Sequence, residues 1–133
     1  MKRAVDLIRN VTLDATTGAT VAITPPNWAK DAILHVALTD VGASTTPSLD
    51  ALVYQRLPVN AGTNIAVPSV SIDALSAAGN AFVAFGLNVE ALSGTKYDGA
   101  PCALSRYMEV VFTQDRTDTD EEYSYKAWVE YLG

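Results

Sequence analysis

Apolar and polar residues alternate along most of this chain with a period of two. In Val5 to Leu13, Val5, Leu7, Val11 and Leu13 oppose Asp6, Asn10 and Thr12, while Arg9 interrupts the apolar side. Ala19 to Thr24 sets Val21 and Ile23 against threonines. In Asp31 to Val41, Leu34, Val36 and Leu38 share one face; Ile33, His35, Ala37 and Thr39 share the other. Leu49 to Leu57 carries Leu52 and Tyr54 opposite Ala51 and Val53, and Ala81 to Leu92 aligns Val83, Phe85, Leu87, Val89 and Ala91. Ser105 to Thr113 and Glu122 to Leu132 are the last two runs. Successive side chains of a strand point to opposite faces, so such runs predict sheets with one dry face and one wet face.

The breaks between runs fit the same picture. Thr16-Thr17-Gly18 predicts a turn that lets the first two strands form a hairpin, and Pro25-Pro26-Asn27 ends the ladder because proline donates no N–H. Arg9 allows a bulge or an edge position. Gly42 to Pro47 reads as a small-residue loop, and Asn60 to Pro68 as a loop with a short edge strand at Ile65 to Val67. Ser93 to Pro101 is a loop dense in turn formers. Val70 to Ala78 admits a helical turn or an irregular excursion. The final two strands pair as a hairpin across Gln114 to Glu121. With no crossover helices in the pattern, the expected fold is all-β. It is a single-domain antiparallel β-sandwich, jelly-roll-like, of about seven or eight strands spanning residues 1–133.

Composition narrows the function classes. The 133 residues are 49% hydrophobic and 18% charged, ordinary for a globular domain that buries a core without staples. The one cysteine, Cys102, has no partner for an internal disulfide and reads as a small packed apolar residue. No stretch has the length of a membrane span, and Asp6 and Arg9 break any apolar signal segment after Met1-Lys2-Arg3. The net charge is −6 and the nine basic residues are scattered, so no basic stripe is available for a phosphate backbone. Neither nucleic acid nor membrane is an expected partner.

No catalytic constellation can be written. His35 is the sole histidine and lies in a strand, so neither a zinc set nor a triad forms around it in sequence. The serines lack a G-x-S-x-G elbow and the glycines lack phosphate-binding spacings. No cofactor or metal is expected, and the chain reads as a non-enzyme. Asp115 to Glu122 is rich in oxygen ligands but lacks the calcium-loop order with its central glycine, and reads as a solvated hairpin tip. Tyr123, Tyr125 and Tyr131 share one face of the last strand with Ala127 and Val129, opposite Trp128, Lys126 and Glu130. Such a stripe is a half-buried sheet face, a subunit contact or a sugar-stacking platform. Trp28, braced by Pro25-Pro26, is either tucked over the core or presented to a partner. The partner-contact candidates are Met1, Lys2, Arg3, Trp28, Lys96, Tyr97, Tyr123, Tyr125 and Tyr131. The tyrosine stripe and the high apolar content together predict self-association.

Two segments carry a family likeness: T-P-S-L-D-A-L-V-Y at Thr46 to Tyr54, and R-Y-M-E-V-V-F-T at Arg106 to Thr113. Within Ala32 to Tyr54 and Arg106 to Val129, the chain resembles small all-β virion structural proteins of tailed bacteriophages. It departs from them directly after T-P-S-L-D-A-L-V-Y, where Gln55 to Asn64 replaces an S-x-D-G-x-x-W segment. The resemblance implies a capsid decoration (cement) protein, made in the host cytoplasm and placed on the capsid exterior. It also implies binding to the major capsid protein and a homo-oligomer, with a trimer favoured. A carbohydrate-binding module and a neck, tail or baseplate connector are the alternatives.

Overall fold

The computed structural model describes all residues except 1, 15–17, 43–47, 57–63, 77, 91, 94–96, 107 and 115–121. Ten strands occur among the described residues, with no helix. They are β1 (Arg3–Asp14), β2 (Gly18–Ile23), β3 (Asp31–Asp40), β4 (Leu49–Arg56), β5 (Asn64–Leu75), β6 (Gly79–Gly86), β7 (Leu92–Ser93), β8 (Tyr97–Pro101), β9 (Met108–Gln114) and β10 (Tyr123–Leu132). A six-stranded sheet runs β1-β10-β3-β6-β8-β7 and a four-stranded sheet runs β2-β9-β4-β5.

The pairings reveal the topology. β1 pairs with β10, β2 with β9, β3 with β6 and β4 with β5, every pair antiparallel. First pairs with last and innermost with innermost, as in one long hairpin. Rolling that hairpin so that β10 meets β3 and β9 meets β4 produces the two sheets. That is a jelly roll, an all-β sandwich as its sequence predicts. The short β7 and β8 extend it beyond β6, with β8 parallel to β6.

Both expected hairpins are therefore corrected. β1 and β2 lie in different sheets, as do β9 and β10, because the rolled hairpin crosses between layers at both of these connections. Tyr97–Pro101, read as loop, is a strand, and it and β7 raise the count above the seven or eight expected. Val70 to Ala78 holds no helical turn at its described positions: β5 runs unbroken to Leu75. Its edge position tolerates Pro68, which falls where the ladder jumps from Leu52↔Ser71 to Tyr54↔Ala66.

Ala32, Leu34, Val36 and Leu38 of β3 point into the core, as do Leu49, Ala51 and Val53 of β4 and Met108, Val110 and Phe112 of β9. Each large side chain so buried stabilises the fold by about 1.5–3 kcal/mol. β1 departs from its expected face. Ala4, Ile8 and Val11 pack against the core, while Val5, Leu7 and Leu13 are 51%, 61% and 55% exposed. The ladder slips between Leu7 and Arg9, the bulge that Arg9 suggested, and a strand with apolar residues on both sides has its inward face chosen by register alone.

The long strand expected to reach Leu92 stops at Gly86. The Asp31 carboxylate accepts hydrogen bonds from the Asn88 backbone N–H (2.9 Å) and side-chain amide (3.1 Å), and Leu87 N–H donates to Lys30 O. These bonds turn the chain and leave Leu87 64% exposed.

Candidate interaction surface

The tyrosine stripe is not a surface. β10 lies between β1 and β3, and its inner face is roofed by the four-stranded sheet, so Tyr123, Tyr125 and Tyr131 are 0–1% exposed. These three candidates are corrected from contact residues to core. Two of their hydroxyls reach polar partners at the rim: Tyr123 accepts from Ser48 N–H at 3.0 Å, and Tyr125 accepts from Arg9 Nε at 3.3 Å. The Tyr131 hydroxyl is buried without a partner among the described residues. Burial, and secondarily the Asp6 carboxylate, push this phenol up to about 12. A raised phenol pKa works against the fold only as pH climbs from 10 toward that value. Tyr131→Phe is expected to stabilise the protein by about 1 kcal/mol, since it removes an unsatisfied polar atom and keeps the ring. A thermal melt measures it; a lower melting temperature would show that the hydroxyl is paired.

Trp28 is tucked rather than presented. It is half-buried against the core, and a Cβ added at Gly133 would sit 2.8 Å from its ring. The Lys2 ammonium lies 5.9 Å from the ring centroid, and Gly133 N–H donates to Lys2 O. Arg3 Nε donates to Glu130 Oε2 at 2.7 Å, and Nη2 contacts the same oxygen. Met1, Lys96 and the acidic stretch 115–121 lie outside the described residues. Tyr97 sits in β8 opposite Phe82 in register.

The Arg of the R-Y-M-E-V-V-F-T motif has a structural task. Arg106 Nε donates to Asn27 Oδ1 at 2.7 Å, with Nη2 on the same oxygen. That bond ties the Pro25-Pro26-Asn27 bend to the lead-in of β9. Beside it is a cleft of about 190 Å³ lined by Pro25, Pro26, Asn27, Ala29, Leu104, Ser105 and Arg106. Its volume is below the several hundred Å³ typical of small-molecule pockets. Cys102 is half-buried; burial pushes its thiol up and away from the reactive thiolate. No cluster of three or more potential metal ligands occurs among the described residues.

What the sequence reading missed is a row across the outer face of the six-stranded sheet. Leu7 of β1 stands opposite Trp128 of β10, Trp128 opposite His35 of β3, and His35 opposite Phe82 of β6. Directly opposite residues share a face, so all four point outward. His35 and Trp128 stack at 5.2 Å with planes 12° apart, and Phe82 is tilted against His35 at 6.4 Å. Leu7 is 61% and Phe82 40% exposed. Burial lowers the His35 pKa, the Glu130 carboxylate opposes that shift and Arg3 adds to it, so the ring is held toward its neutral form. Alternation had set His35 opposite Leu34, Val36 and Leu38, and Trp128 opposite the tyrosines. Their union with Leu7 and Phe82 needs the strand order, which no local pattern holds.

No protein-family model matches the sequence, and no curated protein matches it. Among solved structures, the chain is similar to one from the structure of infectious bursal disease virus Gt strain. The identity is 11% and the TM-score 0.32, over 98% of this chain. This chain spans about a third of that chain's length, 33%. A likeness at that score carries no argument about what this chain does.

Proposed function

We propose that this chain is a non-enzymatic structural protein of a tailed-phage virion, a capsid decoration protein that binds the outer shell and bridges neighbouring major capsid subunits. The observation that carries the reading is the placement of the two motifs that resemble such proteins. T-P-S-L-D-A-L-V-Y supplies β4 and R-Y-M-E-V-V-F-T supplies β9. The two strands are bonded neighbours in register from Leu49↔Gln114 to Gln55↔Met108. The motifs thus build one unit at the centre of a sheet, within an architecture that viral capsid domains also use.

The carbohydrate-binding alternative loses its main support. The tyrosine stripe is in the core, and in the exposed row His35 and Trp128 cover a face of each other's ring. A sugar stacks on an open ring face, whereas ring edges suit apolar side chains.

A rigid module that binds only the assembled shell stabilises that state by mass action, about 2.7 kcal/mol per site at a free concentration about 100 times Kd. Linked copies bound to one shell gain further through effective concentration. The test mixes purified protein with expanded shells lacking it, then measures binding and the temperature at which shells open. Saturable binding with a raised opening temperature is expected. Absence of shell binding together with capture by tail assemblies or glycans overturns the reading.

A further inference from the structure

The outer face of the six-stranded sheet carries a contiguous row of apolar and aromatic side chains, in which Leu7 is 61% and Phe82 40% exposed. The Leu7–Trp128–His35–Phe82 row is its centre. The next row toward the N-terminus of β1 is Val5, Glu130, Ile33 and Ala84, and the row on the other side is Asn10, Lys126, Ala37 and Asn80. Across β1, β10, β3, β6 and β8, at about 4.8 Å per strand and about 3.3 Å per residue, this face has a planar footprint of roughly 500 Å². Side-chain relief brings that toward the roughly 800 Å² per partner of a stable protein contact.

Charge selects the occupant. Lys126 and Glu130 flank Trp128 two residues to either side on the same face of β10. Lys126 is exposed and, among the described residues, makes no hydrogen bond or ion pair. Both Arg3 contacts fall on Glu130 Oε2, so Oε1 remains available to a second cation. A twofold axis lying along the central row reverses strand direction in the second copy. It sets Trp128 over Trp128 and Lys126 of each copy over Glu130 of the other, twice. An axis along the strands would instead oppose Lys126 to Lys126 and Glu130 to Glu130. The open edge of β1 is the weaker place for a second copy: it is bulged twice and studded with Arg3, Asp6 and Arg9, features that blunt edge pairing.

We propose that the outer face of the six-stranded sheet is a twofold contact between two copies of this chain, with its axis along the Leu7–Trp128–His35–Phe82 row and Lys126–Glu130 pairs at both ends. The contact is isologous, so one surface patch serves both subunits and the assembly closes as a dimer. The Lys126 and Glu130 side chains are four residues apart along one strand, too far to pair within a copy.

Sedimentation of the full chain tests this without any shell, so it stands or falls separately from the capsid reading. The wild type is expected to be a dimer at roughly 50 µM, a concentration suited to a contact of this size. Lys126→Glu and Glu130→Lys should each weaken the dimer by about tenfold or more, because each opposes like charges at two places. The double variant K126E/E130K should recover it. Both Glu130→Lys and the double variant lose the Arg3 pair, so recovery isolates the contact between copies. Leu7→Lys, at a largely exposed position, should yield a folded monomer whose melting temperature matches that of wild type diluted to where its dimer dissociates. A monomeric wild type, a trimer, indifference to Lys126→Glu, or no recovery in the double variant each overturns the twofold contact. A trimer would also restore the order that the family resemblance implies.

Discussion

Replacing Phe112 with alanine is expected to cost about 3–5 kcal/mol, close to the whole margin of an ordinary domain. Phe112 is 1% exposed on β9, and its ring lies 5.6 Å from that of Tyr125 on β10, tilted by 44°. The pair spans the gap between the two sheets. On its own sheet, Phe112 stands opposite Ala19 of β2 on one side and Ala51 of β4 on the other. Flanking alanines have no reach to fill the space, so most of the lost ring volume stays as a cavity. Both strands are held by ladders and cannot close in. A urea denaturation midpoint measures the loss. Phe112→Leu, which keeps most of the volume, should cost only about 1–2 kcal/mol and keeps the comparison possible should the alanine variant not fold. An alanine variant within about 1 kcal/mol of wild type would mean that the sheets are not spaced by this ring.

Gly86→Ala should destabilise by about 3 kcal/mol or more, an unusual loss for the addition of one carbon. Gly86 has φ +151°, a conformation that side chains with a Cβ rarely adopt. A Cβ there would lie 2.5 Å from Asp31 Cα, 2.6 Å from Lys30 O and 2.3 Å from Asp31 Oδ1. Two of those atoms are backbone, at the first residue of β3 and the residue before it, and cannot rotate away. The third belongs to the carboxylate that holds Asn88, so relief at that contact costs the turn after β6. The Gly86 carbonyl also accepts from Cys102 N–H at 3.0 Å, which ties the lead-in of β9 to the same point. Denaturant titration measures the effect. A variant as stable as wild type would mean that β3 and β6 lie farther apart at Gly86 than these distances require.

The rigidity of the fold matters for the proposed role. A shell-binding module works by holding a fixed contact surface, and both Phe112 and Gly86 act on that rigidity. Phe112 sets the distance between the layers. Gly86 sets the approach of β6 to β3, the two strands that carry Phe82 and His35.

Local periodicity was enough to place β1 to β4, β6, β9 and β10, but not the irregular runs that form β5, β7 and β8. In β3 the alternation of Leu34, Val36 and Leu38 with Ile33, His35 and Ala37 assigned each side chain to its face, because the strand is interior and only one face is apolar enough to be dry. On β10 alternation grouped Trp128, Lys126 and Glu130 on one face and the tyrosines on the other, without saying which face was dry. The all-β class followed from summing such segments, and the Pro25-Pro26 stop from the chemistry of proline.

Only the tertiary structure decided what depends on which strand meets which. β1 is apolar on both faces, so its inward side was settled by the ladder with β10 and the slip at Arg9. Turn residues suggested hairpins at 16–18 and 114–121, but β1 and β2, like β9 and β10, belong to opposite layers, and no local signal reports the layer. The tyrosines of β10 were legible as one face, yet whether that face met water or a second sheet depended on the roll of the whole chain. The Leu7–Trp128–His35–Phe82 row assembles residues from four strands distant in sequence, each unremarkable in its own segment. Side-chain alternation is a property of a single strand and is written in its residues; adjacency between strands is a property of the long-range ladder, which only the folded chain supplies.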